Sequence, residues 1–304
     1  MKLLIIFLFI FLANSNIFYI SPSVCSNNCD GSENSPFKTI LEGLSLLNSQ
    51  GGGELVLLPG KYENNVNIGL NITNKDYFIY SKAPNTVTID CGSANFGFRF
   101  YNGKYKIANL TFNNCKPPQS LTNQIDKNGG ALLFYKSQIE LTSLTFTKNS
   151  VFSTFNGGAV AIMIGSAIIK NCKFLENNNA LLGGALYMEK ASVDIQDSII
   201  INDNVVSENG GGLYANYSSV KIDGGNITNN YILNSNGQKE QSQLRCYFSD
   251  FNLSKNTYYG NGVSCTNCTI IVDNNNICSK SSFWVLLQFN YVLIFVFFMV
   301  FNIF

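Results

Sequence analysis

From residue 105 onward the apolar positions alternate with polar ones and then repeat at a longer interval. Five segments align without gaps: 105–112, 139–146, 167–174, 193–200 and 220–227. One column reads Tyr105, Ile139, Ala167, Val193, Val220, and two residues on Ile107, Leu141, Ile169, Ile195, Ile222. The position between them is Lys106, Glu140, Ile168, Asp194, Lys221. A period of two with one apolar side predicts a strand that buries one face. A kink is expected after each strand, at Asn109, Ser143, Asn171, Asp197 and Gly224, followed by a large apolar residue at Phe112, Phe146, Phe174, Ile200 and Ile227.

Four glycine phrases stand in phase with these strands: Gly129-Gly130, Gly157-Gly158, Gly183-Gly184 and Gly210-Gly211, with first glycines 28, 26 and 27 residues apart. Phe146, Phe174, Ile200 and Ile227 follow each second glycine by sixteen residues, and Asn149, Asn177, Asp203 and Asn230 come three residues later. Marks repeating in fixed phase predict a solenoid in which each repeat stacks on the last. The Phe/Ile column is expected in the core. The Asn/Asp column is expected to form a side-chain ladder at a turn. The glycines supply tight bends at positive φ.

Upstream, an apolar stripe at Ile40, Leu41, Leu44 and Leu47 predicts a short helix opened by Ser35 and Pro36. A strand follows at residues 54–58. Such a helix can cover the bottom edge of a stack.

The segment from Asp30 to Phe37, this helix and the run Leu58-Pro59-Gly60-Lys61-Tyr62, with Thr88-Ile89-Asp90-Cys91-Gly92, resemble the N-terminal part of pectin-lyase-like right-handed parallel β-helices. The Gly-Gly-Ala-Leu and Phe-x-x-Asn phrases resemble the repeats of polymorphic outer membrane proteins. The resemblance implies an all-β right-handed parallel β-helix with an N-terminal capping helix. About eight coils of about 27 residues would make a rod on the order of 40 Å long. A hydrophobic C-terminal helix stands where that second family has a membrane barrel.

The chain ends add topology. Residues 1–20 read as a secretory leader, with cleavage between Ala13 and Ser23. Residues 21–100 hold the cap and first coils, and 101–276 the repeats. From Phe283 to Phe304 runs an apolar stretch long enough to cross a bilayer, or to signal a GPI anchor that replaces it. Either way the protein is expected at the cell surface, membrane-anchored, with its repeats outside. Six sequons, at Asn71, Asn109, Asn216, Asn226, Asn252 and Asn267, and nine cysteines agree with that compartment. Cys25 with Cys29, and Cys265 with Cys268 and Cys278, are candidate disulfide clamps at the two ends, and the odd count leaves one thiol over.

Composition narrows the chemistry. The net charge is +1, which gives no field for nucleic acid. Histidine is absent, which removes imidazole bases and metal ligands. The only arginines are Arg99 and Arg245. Enzymes of the pectin-lyase-like fold, by resemblance, use clustered carboxylates with Ca²⁺ and a base, or two aspartates with an arginine. The outward column here separates its acids by Ile168 and flanks them with lysines. Asp194, Asp197 and Asp203 read as structural. The expectation is therefore a non-catalytic surface β-helix acting in adhesion, recognition or coat structure, with no catalytic residues, no metal and no cofactor. Its expected partners are the membrane and glycans or surface proteins. The alternative is a polysaccharide-active lyase, hydrolase or esterase, or a carbohydrate-binding module of the same fold.

Overall fold

A computed structural model of the chain describes residues 16–23, 28–254 and 257–278. Its strands form three sheets, one of sixteen strands, one of eight and one of four, parallel throughout except where Lys239–Gln241 pairs antiparallel with Tyr231–Leu233 and Asn275–Cys278 with Thr269–Val272. The long central strands Leu132–Thr142, Val160–Lys170 and Leu186–Gln196 each bend once in the middle. Their first halves and second halves therefore form two walls of the coil. The eight-stranded sheet, which includes Thr145–Thr147 and Lys173–Leu175, forms the third wall.

The register is the one the alternation demands. Ile139 pairs with Tyr105 and Ala167, and Leu141 with Ile107 and Ile169. These residues point inward and are buried. Phe112, Phe146 and Phe174 form a stacked row with centroids 5.4 and 4.8 Å apart. Burying each such ring stabilises the coil by roughly 1.5–3 kcal/mol.

Every bend is a left-handed residue, and these line up in columns. One corner runs Asn74, Asn102, Lys136, Ile164, Lys190, Tyr217, Phe248, Asn267, with φ between 45° and 60°. A second holds Asn109, Ser143, Asn171 and Asp197, and a third Asn114, Lys148, Glu176, Asp203 and Asn229. In the glycine phrases only the first glycine is left-handed, as at Gly157 (φ 73°). The second is required by crowding: a Cβ on Gly158 would stand 2.2 Å from the Gly184 carbonyl oxygen of the next coil.

The third repeat corrects the expected register by one residue. Phe174 pairs with Ile201, not Ile200, and Ile201 is fully buried while Ile200 faces outward. The chain carries one extra residue between the Asp197 bend and this strand. The ladder that follows is accordingly Asn149, Asn177, Asn204, Asn230, closed by Gln243. Asp203 is displaced to the exposed corner column.

The helix spans Ile40–Ser49, and Thr39 caps it rather than Ser35. Thr39 Oγ1 accepts from the Glu42 N–H, and the Glu42 carboxylate accepts from the Thr39 N–H, a reciprocal capping box. Ile40, Leu44 and Leu47 join the core beside Leu55 and Ile20. Ile17–Ile20 itself is a strand, paired in parallel with Gly52–Leu57. The Asn16 carbonyl accepts from the Glu54 N–H, so the segment expected as leader overlaps a strand of the rod at residues 17–20.

Disulfides join Cys91 to Cys115, Cys246 to Cys268 and Cys265 to Cys278. The expected Cys265–Cys268–Cys278 cluster is thus shared between two bridges, with Cys246 as the unforeseen partner. Cys29 is disulfide-bonded, and Cys25 lies outside the described residues. The leftover thiol is Cys172, buried in the core. No helix among the described residues is long and apolar enough to cross a membrane. The leader up to residue 15 and the stretch from 283 to 304 lie outside them.

Candidate functional site

The second-half wall of the long sheet carries three outward columns. The middle one reads Glu54, Phe78, Lys106, Glu140, Ile168, Asp194, Lys221, Asn252 in strict register. Its centre is an open groove of about 380 Å³, floored by Ser166, Ala167 and Ile168 and bordered by Lys104, Lys106, Gln138, Glu140, Ser192 and Asp194. Small side chains on its floor leave this space open. Gly165 at its edge admits no side chain, since a Cβ would lie 2.1 Å from the Ser137 carbonyl oxygen.

Glu140 and Asp194 sit on either side of Ile168, two rungs apart, or about 10 Å along the stack. Each acid has cationic neighbours. Lys106 Nζ lies 3.3 Å and Lys170 Nζ 3.7 Å from the Glu140 carboxylate. Lys221 Nζ lies 3.9 Å from Asp194 Oδ1. Gln196 Nε2 donates to Asp194 Oδ2 at 2.6 Å, whereas Oδ1 is buried and accepts no hydrogen bond. These pairs are half-exposed, so each contributes on the order of 1 kcal/mol or less to stability. A ligand hydroxyl can displace them cheaply. The arrangement therefore presents two carboxylates and three ammonium groups on one open face.

The arginines stand elsewhere. Arg99 is fully buried on the outer side of the first-half wall. Its Nε donates to the Asp126 carbonyl and Nη1 to the Phe98 carbonyl, and Nη2 has no partner. Burial drives its pKa down to about 9, against the pull of Tyr101 and Asp126. Arg245 Nη2 donates to Thr266 Oγ1 at 2.8 Å. Neither arginine lines the groove, so the two-aspartate and arginine set is not assembled there. No group of three or more His, Cys, Asp or Glu among the described residues could hold a metal ion.

The remaining sequence candidates scatter. Asp197 and Asp203 occupy separate corners. Of the tyrosines, Tyr105 is in the core, Tyr187 and Tyr214 are buried on the outer side of the first-half wall, and Tyr101 donates to the Asp126 carboxylate. Tyr231 is half-buried beside Lys239, and only Tyr217 is exposed. The sequons Asn71, Asn226 and Asn252 are exposed. Asn109, Asn216 and Asn267 are partly covered, and the Asn109 amide donates to the Ser81 carbonyl. Sequence reasoning placed Glu140 and Asp194 in the right column but missed Lys170, which belongs to the neighbouring outward column and closes on Glu140 from one rung above.

No protein-family model and no curated protein matches the chain. Among solved structures it is similar to a pectin methylesterase variant in complex with a hexasaccharide, at 13% identity, over 81% of each chain, TM-score 0.36. A second pectin methylesterase–hexasaccharide complex matches at 11% identity over 81% of each chain, TM-score 0.37. A rice weevil pectin methylesterase matches at 11% identity, over 84% of this chain and 92% of that one, TM-score 0.36. These neighbours are pectin methylesterases and not adhesion or coat proteins, which goes against the expectation of a non-catalytic surface protein. The chemistry of this chain is argued from its own groove.

Proposed function

We propose that the protein is a polysaccharide-active protein that lays a glycan chain along the outward column from Lys106 to Lys221. The observation that supports it is the Glu140–Asp194 pair, two rungs apart across an open floor and flanked by lysines. Two carboxyl groups about 6.5–9.5 Å apart leave room for a water between acid and base in direct hydrolytic displacement. The two-rung spacing of about 10 Å lies at the upper edge of that range. In that reading one carboxylic acid protonates the leaving oxygen, and the other carboxylate takes a proton from the attacking water. The lysines hold the polymer's oxygens and keep it in register with the rungs. The same reading keeps the chain in the secretory pathway, glycosylated at exposed sequons and held to a membrane by the 283–304 stretch or by a GPI anchor that replaces it. It treats the repeat as one of the Gly-Gly-Ala-Leu and Phe-x-x-Asn type.

The purified protein should release reducing ends, unsaturated ends or ester alcohol from at least one member of a panel of plant, algal and animal polysaccharides. Glu140→Gln and Asp194→Asn should each lower turnover by about 10²–10⁴-fold, as expected for loss of general acid or base. Full turnover in the double variant would sink the assignment. Binding to a polymer without turnover would leave a carbohydrate-binding module.

A further inference from the structure

The corner between the two walls of the long sheet is stacked by backbone hydrogen bonds from rung to rung: Tyr217 N–H to the Tyr247 carbonyl, and Phe248 N–H to the Thr266 carbonyl. Every residue in this column is left-handed. Asn, as at 74, 102 and 267, tolerates that conformation well, whereas bulky side chains are disfavoured there. Yet Tyr217 and Phe248 occupy it with φ of 48° and 45°. Nor are they recruited to the core: Tyr217 is 53% and Phe248 37% exposed. Their rings stack at 5.1 Å, and Tyr247 meets both edge-on. The rod thus displays an aromatic ridge at a place where its backbone favours asparagine.

The ridge lies near the last described residue of the rod. Cys278, the last described residue, is bridged to Cys265, two positions before the Asn267 end of the same corner. Phe248 is one rung below that end and Tyr217 two, or about 5 and 10 Å. Phe283 begins the apolar stretch five residues beyond Cys278. Five extended residues span at most about 17 Å. A bilayer holding residues 283–304 is therefore within reach of the ridge. Tyrosine is enriched at the headgroup level of membranes, and Lys190, next down the column, suits anionic headgroups.

We propose that Tyr217, Tyr247 and Phe248 form a membrane-interface contact that tips the rod onto the lipid surface. The proposal rests on the membrane attachment in the reading above. It leaves the groove of Glu140 and Asp194 on the neighbouring wall, outside the ridge.

The test uses the full chain reconstituted into vesicles of phosphatidylcholine and phosphatidylserine. Phe248→Cys, Tyr217→Cys and Lys190→Cys each receive an environment-sensitive fluorophore, with Lys148→Cys on another corner as reference. Cys172 is buried, so the introduced thiol takes the label. A quencher attached to lipid headgroups should quench position 248 most, then 217, then 190, each several-fold more than 148. Lys190→Cys removes no packed ring and serves if the aromatic variants fold poorly. Asn267 should be recovered as unmodified asparagine. Equal quenching at all four positions would overturn the proposal while leaving attachment intact, and so would a glycan on Asn267. A chain that does not sediment with vesicles would overturn both the proposal and the attachment.

Discussion

Asn177 in the buried ladder sets a quantitative test. Its Oδ1 accepts from the Asn149 N–H and from Asn149 Nδ2, both at 3.0 Å. Its Nδ2 donates to the Phe146 carbonyl at 3.2 Å and to Asn204 Oδ1 at 2.8 Å. Asn177→Ala removes all four bonds. Asn204 Oδ1 keeps the Asn177 N–H, and Asn149 Nδ2 keeps the Phe112 carbonyl. The Asn149 N–H loses its side-chain acceptor in a position with no access to water. A buried orphan costs about 1–3 kcal/mol, and each of the three further lost bonds about 1 kcal/mol, which together give about 4–6 kcal/mol. That is a large share of a typical domain's stability of about 5–15 kcal/mol. Asn229→Ala is the control: it changes an exposed left-handed Asn whose Nδ2 donates to Asn202 Oδ1 at 3.2 Å, and should cost about 1–2 kcal/mol through the backbone and that solvent-exposed bond. Urea titrations followed by circular dichroism measure both. The expected drop in melting temperature for Asn177→Ala is about 10 °C, at about 2–4 °C per kcal/mol for a chain of this size. If Asn177→Ala costs no more than Asn229→Ala, the ladder is not what holds the coils in register.

Two further outcomes follow from buried or paired titratable groups. Burial pushes the Cys172 thiol up to about 12 despite backbone contacts that oppose it, so native protein at pH 8 should take up no iodoacetamide at Cys172 and unfolded protein should. Burial presses Asp90 upward, but the Gly92 N–H, Lys61 and the Asn113 amide outweigh it and hold its pKa below the usual value. A depressed carboxylate pKa stabilises the fold above about pH 4 and loses that contribution as pH falls through the folded value. The urea midpoint of Asp90→Asn should therefore fall below wild type at neutral pH and converge with it in acid; a constant gap down to pH 2 would refute the linkage.

Most of the stack was legible because parallel pairing repeats one chemical requirement at one interval. The inward columns could be read directly: Ile107, Leu141, Ile169, Ile195 and Ile222 each touch the rung above and below, so each must match its neighbours in shape. The third coil was misread because Ile199, Ile200 and Ile201 are chemically alike. A one-residue insertion there moves no hydrophobic letter off its expected place, and the pairing of Phe174 with Ile201 and the ladder pairing of Asn204 expose it. The helix cap was equally present in sequence, as Thr39 followed three residues later by Glu42, but Ser35-Pro36 competed as an earlier start. The Cys246–Cys268 bridge was hidden because its partners lie 22 residues apart and meet only when one coil closes on the next.

The outward columns obey a weaker rule, and that weakness is where function can be written. Cross-strand neighbours of like charge repel when they sit directly opposite, so a stacked column tolerates Lys beside Glu but not Glu beside Asp. The order Lys106, Glu140, Ile168, Asp194, Lys221 contains no adjacent like pair. Ile168 makes this possible as the uncharged spacer between two acids, and it does so while 38% exposed. A lysine in its place would satisfy both carboxylates and stabilise the face through two more ion pairs. It would also fill the groove from its floor. The chain keeps an exposed isoleucine there instead, so the space between Glu140 and Asp194 stays open and their charges stay available to something that is not part of the fold. Ile168→Lys should therefore leave the melting temperature unchanged or slightly raised while abolishing polysaccharide turnover, which separates the groove's chemistry from its contribution to stability.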